Sequence, residues 1–183
     1  MKKPYGLGIV VGRFQMIHAG HVDMINAARR ACDSVAIFIG SSQESGTAQN
    51  PFTYETRAEM FRRVFGDSVK VFPLPDIGVG NVGQWGEYVI STVRERTGRF
   101  PDVLVSGKEE RRPGWFTGEN GARVAELYVP KTINVSASYM RELFISGDEE
   151  TWRSFAPYAL WDMYGSLRAS VLASKDVTET ASC

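Results

Sequence analysis

Short apolar runs alternate with helix-like stretches along this chain, and that alternation constrains the fold more than any other feature. Leu7-Gly8-Ile9-Val10-Val11 reads as a buried strand. A helix follows from about Gly20 to Cys32, with Val22, Ile25 and Ala28 recurring on one side. Val35 to Ile39 is a second strand, ended by Gly40-Ser41-Ser42. Phe52-Thr53 opens a second helix, with Thr53 as N-cap and Phe61, Val64 and Phe65 facing the core. Val69 to Phe72 is a third strand, stopped by Pro73 and Pro75. Trp85, Val89 and Val93 step along a third helix, Val103 to Val105 is a fourth strand, and Val124 to Val129 a fifth. Strands and helices in strict turn make a parallel sheet with helices on both faces, an α/β fold.

Two segments break the rhythm. Residues 108–121 are polar and Gly-rich around Trp115 and Phe116, which reads as a long loop over a site. From Ser138 the chain reads as all-helical. With 183 residues the expectation is a single domain over 1–173, its C-terminal part helical from about 138, and a polar, disordered tail over 174–183.

Lys plus Arg and Asp plus Glu number 21 each, so no net basic field exists to hold nucleic acid. No apolar run is long enough for a membrane and no basic-then-apolar leader opens the chain, so a cytoplasmic protein is expected. Cys32 and Cys183 are the only cysteines, and with two histidines they offer no structural zinc set.

Both histidines fall in Gly12-Arg13-Phe14-Gln15-Met16-Ile17-His18-Ala19-Gly20-His21, where the first strand gives way to the first helix. That is the crevice at which open α/β sheets bind ligands, and a helix N-terminus there favours anions. Gly20 would let a phosphate approach the backbone, and Arg13 stands alongside. Far along the chain, Val135-Ser136-Ala137-Ser138-Tyr139-Met140-Arg141 places hydroxyls at a helix start and a guanidinium one turn later. Each cluster also has a plain reading, as surface histidines near a turn and as an ordinary N-cap. The glycine-rich phosphate loops and the nucleophile elbow are absent, so phosphate would be held by His, Arg and helix ends.

Together these residues resemble a known family. Gly12 to His21 is similar to the GRFQPxHxGH signature of the HxGH nucleotidyltransferase superfamily, and Val135 to Arg141 to its second motif, ISxTxxR. Gly40 to Ser45, then Asn50-Pro51-Phe52-Thr53 with Arg57, Pro75-Asp76-Ile77 and Trp85 resemble, in order, the nicotinamide mononucleotide (NMN) adenylyltransferases of the compact archaeal type. The resemblance implies a Rossmann-like sheet of order 3-2-1-4-5 and the conversion of ATP and NMN to NAD and pyrophosphate, with Mg²⁺ carried mainly on the ATP phosphates. It implies that His18 and His21 hold phosphate oxygens and that Arg13, Arg57 and Arg141 neutralise the triphosphate, these five forming the catalytic set. Gly12, Phe14, Gln15, Gly20, Ser106, Gly107, Ser136 and Ser138 would complete the ATP site. Gly40, Ser41, Asp76, Ile77 and Trp85 would bind NMN, although the spacing of Trp85 with Val89 and Val93 also fits a core aromatic. Sheets of this size often associate, and a homo-oligomer is expected.

The sequence departs from the family in three places. Met16 stands at a family proline and is expected only to loosen the turn, and Ser138 replaces Thr with the hydroxyl kept. Residues 108–121 resemble instead the adenylyltransferase half of fusions with a Nudix hydrolase. The Glu-rich Nudix helix itself is absent from this sequence, so no pyrophosphohydrolase activity is expected. Transfer to another phosphorylated acceptor, of the phosphopantetheine or glycerol phosphate type, and a non-catalytic nucleotide sensor are the alternatives.

Overall fold

In the computed structural model, which describes residues 2–80, 82–107 and 111–180, five parallel strands lie in the order β3-β2-β1-β4-β5. They are β1 (Tyr5–Gly12), β2 (Cys32–Gly40), β3 (Lys70–Leu74), β4 (Val103–Ser106) and β5 (Ala125–Tyr128). The connecting helices are α1 (Ala19–Ala31), α2 (Tyr54–Phe65) and α3 (Gly83–Thr97), then the short α4 (Arg111–Trp115) and α5 (Glu119–Ala122). The chain ends in α6 (Ala137–Ser146), α7 (Glu149–Phe155) and α8 (Tyr164–Thr180).

The two-residue period of the strands sorts their side chains into two cores. Val10, Ile37, Ile39 and Val105 face α1, α2 and the C-terminal helices, where Phe61, Phe144 and Trp152 are buried. Ile9, Val11, Phe38 and Leu104 face α3 and the segment carrying Trp115 and Phe116. Both faces are covered, which is why the central strands read as continuous apolar runs. The chain winds outward from β1 to β3, then returns to build β4 and β5 on the other side. The reversal opens a crevice at the C-terminal ends of β1 and β4.

Thr53 caps α2 as expected, its hydroxyl accepting from the Thr56 N–H at 3.2 Å. Three expectations are corrected. Pro73 does not stop the third strand: it lies within β3 opposite Ile39. That strand is an edge strand, where a missing N–H costs no ladder bond. The segment 108–121, expected to be a loop, folds from 111 into α4 and α5, with Trp115 and Phe116 buried; 108–110 lie outside the described residues. The tail expected to be disordered from 174 continues α8 through Thr180, and 181–183 lie outside the described residues. Leu167, Val171 and Ser174 are buried in succession, so the inner face of the helix reaches Ser174.

Candidate active site

The turn from β1 into α1 is built by burying its apolar residues under its polar ones. Phe14, Met16 and Ile17 are almost wholly buried, which draws the backbone inward and leaves Arg13 exposed at the rim. The turn is tight enough to place Phe14 at φ +49° and Met16 at φ +130°. Gln15 is expected among the ATP residues, but its side chain is committed elsewhere. Its buried amide donates to Phe52 O at 3.3 Å and accepts from Phe52 N at 3.0 Å, tying this turn to the entrance of α2.

His18 is the N-cap residue of α1, yet its side chain makes no capping bond. Its ring stacks on that of His21 with centroids 3.8 Å apart and planes 22° from parallel. The Nδ1 atoms of both are buried without a hydrogen-bond partner. Burial, with the Lys131 ammonium nearby, pushes His18 down to about 4. Burial, His18 and Lys131 hold His21 well below the ordinary histidine range. Two neutral imidazoles therefore face the crevice at neutral pH, each able to donate one N–H or to take up a proton once an anion arrives. Gly20 is needed for this stack, because a Cβ there would press 3.3 Å from His18 Nδ1.

Arg57 lies apart from the other expected cations. It is expected to neutralise phosphate, but it is fully buried and every N–H of its guanidinium is taken. Nη1 donates to Arg13 O and Gly40 O at 3.0 and 2.8 Å, Nη2 to Ser41 O and Glu44 O at 3.0 and 3.4 Å, and Nε to Thr53 O at 3.1 Å. It staples the chain leaving β1, the chain leaving β2 and the start of α2 into one floor. Arg141 is half-buried on α6 and reaches Gln15 O at 3.4 Å and Ser138 Oγ at 3.3 Å. Burial and the charge of Arg13 lower its pKa, against the opposing charge of Glu142. Ser136 Oγ caps α6 by accepting from Tyr139 N at 3.1 Å.

On the other side of the crevice, Ser41, itself at φ +46°, donates from Oγ to Asp76 Oδ2 at 2.6 Å. The Asp76 N–H donates to Gln43 Oε1 at 3.1 Å. Trp85 is buried against Trp115, edge to face at 6.1 Å, and its Nε1 has no partner.

These groups line one cleft of about 770 Å³. It gathers Gly12, Arg13, Phe14, Gln15, His18, Gly20, His21, Gly40, Ser41, Asp76, Trp85, Ser106, Gly107, Ser136, Ser138 and Arg141. Two expected residues are not on its wall: Arg57 lies beneath the floor, and Ile77 is 40% exposed outside it. The cleft adds Asp23, Gln49, Trp115, Lys131 and Thr132, which sequence reading did not assign. The lone Lys131 just ahead of the Ser-rich helix start was the available signal for one of them.

A doubly wound sheet with a cationic, imidazole-lined cleft at its topological switch defines a nucleotide-binding α/β protein. The chain belongs to the cytidylyltransferase-like family, which matches residues 9–143. It is 40% identical to the nicotinamide-nucleotide adenylyltransferase of Saccharolobus solfataricus, over 82% of this chain and 84% of that protein. It is 33% identical to the nicotinamide-nucleotide adenylyltransferase of Thermococcus kodakarensis, over 82% and 77% respectively. The fold matches a bifunctional NMN adenylyltransferase/ADP ribose pyrophosphatase from Francisella tularensis, complexed with AMP and a manganese ion, at a TM-score of 0.74 and 20% identity. That match covers 94% of this chain, which spans about half the length of the bifunctional protein (53%).

Proposed function

We propose that this protein transfers the adenylyl group of ATP to NMN, forming NAD and releasing pyrophosphate. An oxygen of the NMN phosphate attacks the α-phosphorus in line, and the bond from that phosphorus to the β-phosphate oxygen breaks. The attacking oxygen is already anionic, so no protein nucleophile is required. What the protein supplies is alignment and charge stabilisation.

The observation that carries this reading is the division of the cleft. Arg13, Arg141, His18 and His21 line the cleft around the start of α1 and would hold the phosphates, while the bonded pair Ser41–Asp76, after β2 and β3, and Trp85 on α3 give it polar and aromatic groups for the acceptor. A triphosphate on the first set and a flat pyridine ring on Trp85 would bring the two phosphates together over the α1 N-terminus. Asp23 and Asp76, the carboxylates that line the cleft among the described residues, are the side chains that would face a Mg²⁺ carried by ATP. Bound Mg²⁺ would neutralise charge on the phosphate oxygens. No helix among the described residues is long and apolar enough to cross a membrane, and a cytoplasmic homo-oligomer accompanies this reading.

The test incubates the protein with ATP, Mg²⁺ and NMN, following NAD and pyrophosphate. NAD formation is expected. Pyrophosphate release only with phosphopantetheine or glycerol phosphate would overturn the acceptor, and none with any acceptor would overturn the reaction.

A further inference from the structure

The chain between β5 and α6 crosses the start of α1 as a strap fastened along its length. The Val129 N–H donates to Ser106 O at 2.9 Å at one end. Thr132 Oγ1 donates to Asp23 Oδ2, on α1, at 3.0 Å in the middle. Val135 packs under Gly20 at the other end, its Cγ1 3.6 Å from where a Cβ would stand. Lys131 is carried on this strap, exposed, on the wall of the cleft that holds His18, His21, Arg13 and Arg141. Its charge acts on both imidazoles. Among the described residues no carboxylate forms an ion pair with it.

One ammonium, two guanidiniums and two neutral imidazoles thus line one cleft with only two carboxylates among its described residues, Asp23 bonded to Thr132 and Asp76 bonded to Ser41, neither ion-paired to the cations. Each cation raises the free energy of the others, and a polyanion relieves all of them at once. The strap follows β5 and Asp76 follows β3, at opposite edges of the sheet, so Lys131 and the Ser41–Asp76 pair enter the cleft from opposite sides.

We propose that Lys131 is a substrate-contacting residue whose ammonium binds the β- and γ-phosphates of ATP and the pyrophosphate they become. This rests on the adenylyl-transfer reading. As the bond from the α-phosphorus to the bridging oxygen breaks, negative charge grows on the departing pyrophosphate. A cation on a flexible four-carbon stem follows that charge outward. Lys131 therefore acts on the leaving group, whereas Arg141 is held by its bonds to Gln15 O and Ser138 Oγ.

The test compares Lys131→Met, which keeps the stem and removes the charge, with Lys131→Arg. In the forward reaction Lys131→Met is expected to raise the KM for ATP roughly 10- to 100-fold, the range of one charge-assisted phosphate contact. The KM for NMN should stay within about twofold. In the reverse reaction the KM for pyrophosphate should rise in parallel, and Lys131→Arg should recover most of both. Unchanged KM values for ATP and pyrophosphate, or an equal rise for NMN, would overturn the proposal. Calorimetric titration of ATP into the wild type and Lys131→Met, without acceptor, separates the two claims. If the wild type makes no NAD, the acceptor reading fails, while a loss of ATP affinity in Lys131→Met still upholds the phosphate contact and equal affinities refute it.

Discussion

The main chain of Trp115 crosses α3 directly over Gly86, and a Cβ on Gly86 would collide with the Trp115 carbonyl group. Gly83, one turn earlier, is crowded by the Thr117 side-chain hydroxyl. Helix α3 therefore carries a glycine seam on which the α4–α5 segment lies, and that docking sets Trp115 edge-on to Trp85. A stretch that reads as a loop becomes part of the cleft because Gly86 lets its backbone come close and Gly83 makes room for the Thr117 side chain.

Gly86→Ala should lift this segment. The clash is with backbone, so it cannot be relieved by a rotamer change. A loss of about 1–3 kcal/mol is expected, the usual cost of overpacking, with a raised KM for NMN and little change for ATP. Thermal melts and the two Michaelis constants check it; a melt and an NMN KM both equal to the wild type would show that the seam has no role.

Arg57 and Arg141 should separate cleanly. Lys at position 57 has three donors for five carbonyl oxygens. Arg57→Lys should lose about 2–6 kcal/mol of stability, from two buried acceptors left unpaired at about 1–3 each. Arg141→Lys should melt near the wild type yet lose turnover, because Lys keeps the charge but not the planar fork. Urea unfolding and kcat for both variants give the comparison. A stable Arg57→Lys with only ATP affinity reduced would restore the phosphate role expected from sequence.

The histidine pair makes stability depend on pH. His18 titrates at about 4 when folded and near 6.5 when unfolded, so below 6.5 the unfolded chain binds a proton that the folded chain refuses. Stability contributed by the neutral ring is complete above pH 6.5 and is lost as pH falls toward 4. At pH 5 the loss from His18 is about 2 kcal/mol, and His21 adds to it in the same direction. Urea midpoints at pH 7.5 and pH 5 should differ more for the wild type than for His18→Gln. Equal differences would mean that the ring is not held neutral.

Met16 was expected to be a looser proline, and the backbone gives a different answer. At φ +130° it occupies a conformation closed to a ring locked near −65°. Its side chain is fully buried in the core under β1 and α1. Met16→Pro should therefore cost about 3 kcal/mol or more, whereas Met16→Leu should cost less than about 1.5. A proline variant as stable as the wild type would show that the turn readily adopts the family's form.

Much of this was legible because the strands are buried on both faces and the helices on one. Ile9, Ile37 and Leu104 declare the sheet, and the position of Gly12 to His21 after β1 declares the crevice. The role of Arg57 was not legible: a charged residue in a recurring motif looks the same in sequence whether it faces a ligand or five carbonyls. Lys131 was missed for the opposite reason, since its place depends on a Thr132–Asp23 bond between residues 109 positions apart. The α4–α5 fold was hidden because its stability comes from contact with Gly86 and not from its own helix propensity.

Trp85 stands both in the core and on the wall of the cleft. It lies in the core of one sheet face with Val89 and Val93, only 8% exposed, and it also lines the cleft. Trp85→Ala should therefore cost about 3–5 kcal/mol, as for any buried aromatic. Loss of stacking on a pyridine ring, about 1–3 kcal/mol, should also raise the KM for NMN roughly 5- to 150-fold. Trp85→Phe separates the two roles. The indole Nε1 has no partner in the unliganded fold, so losing it removes an unsatisfied buried donor and should leave the melt within a few degrees of the wild type. The smaller ring covers less of the pyridine, and any bond that Nε1 makes to bound NMN is lost. Trp85→Phe should thus raise the KM for NMN several-fold at nearly unchanged stability and unchanged KM for ATP. If both variants lower the melt in proportion to the volume removed and neither changes the KM for NMN, Trp85 is core alone and the pyridine ring binds elsewhere in the cleft.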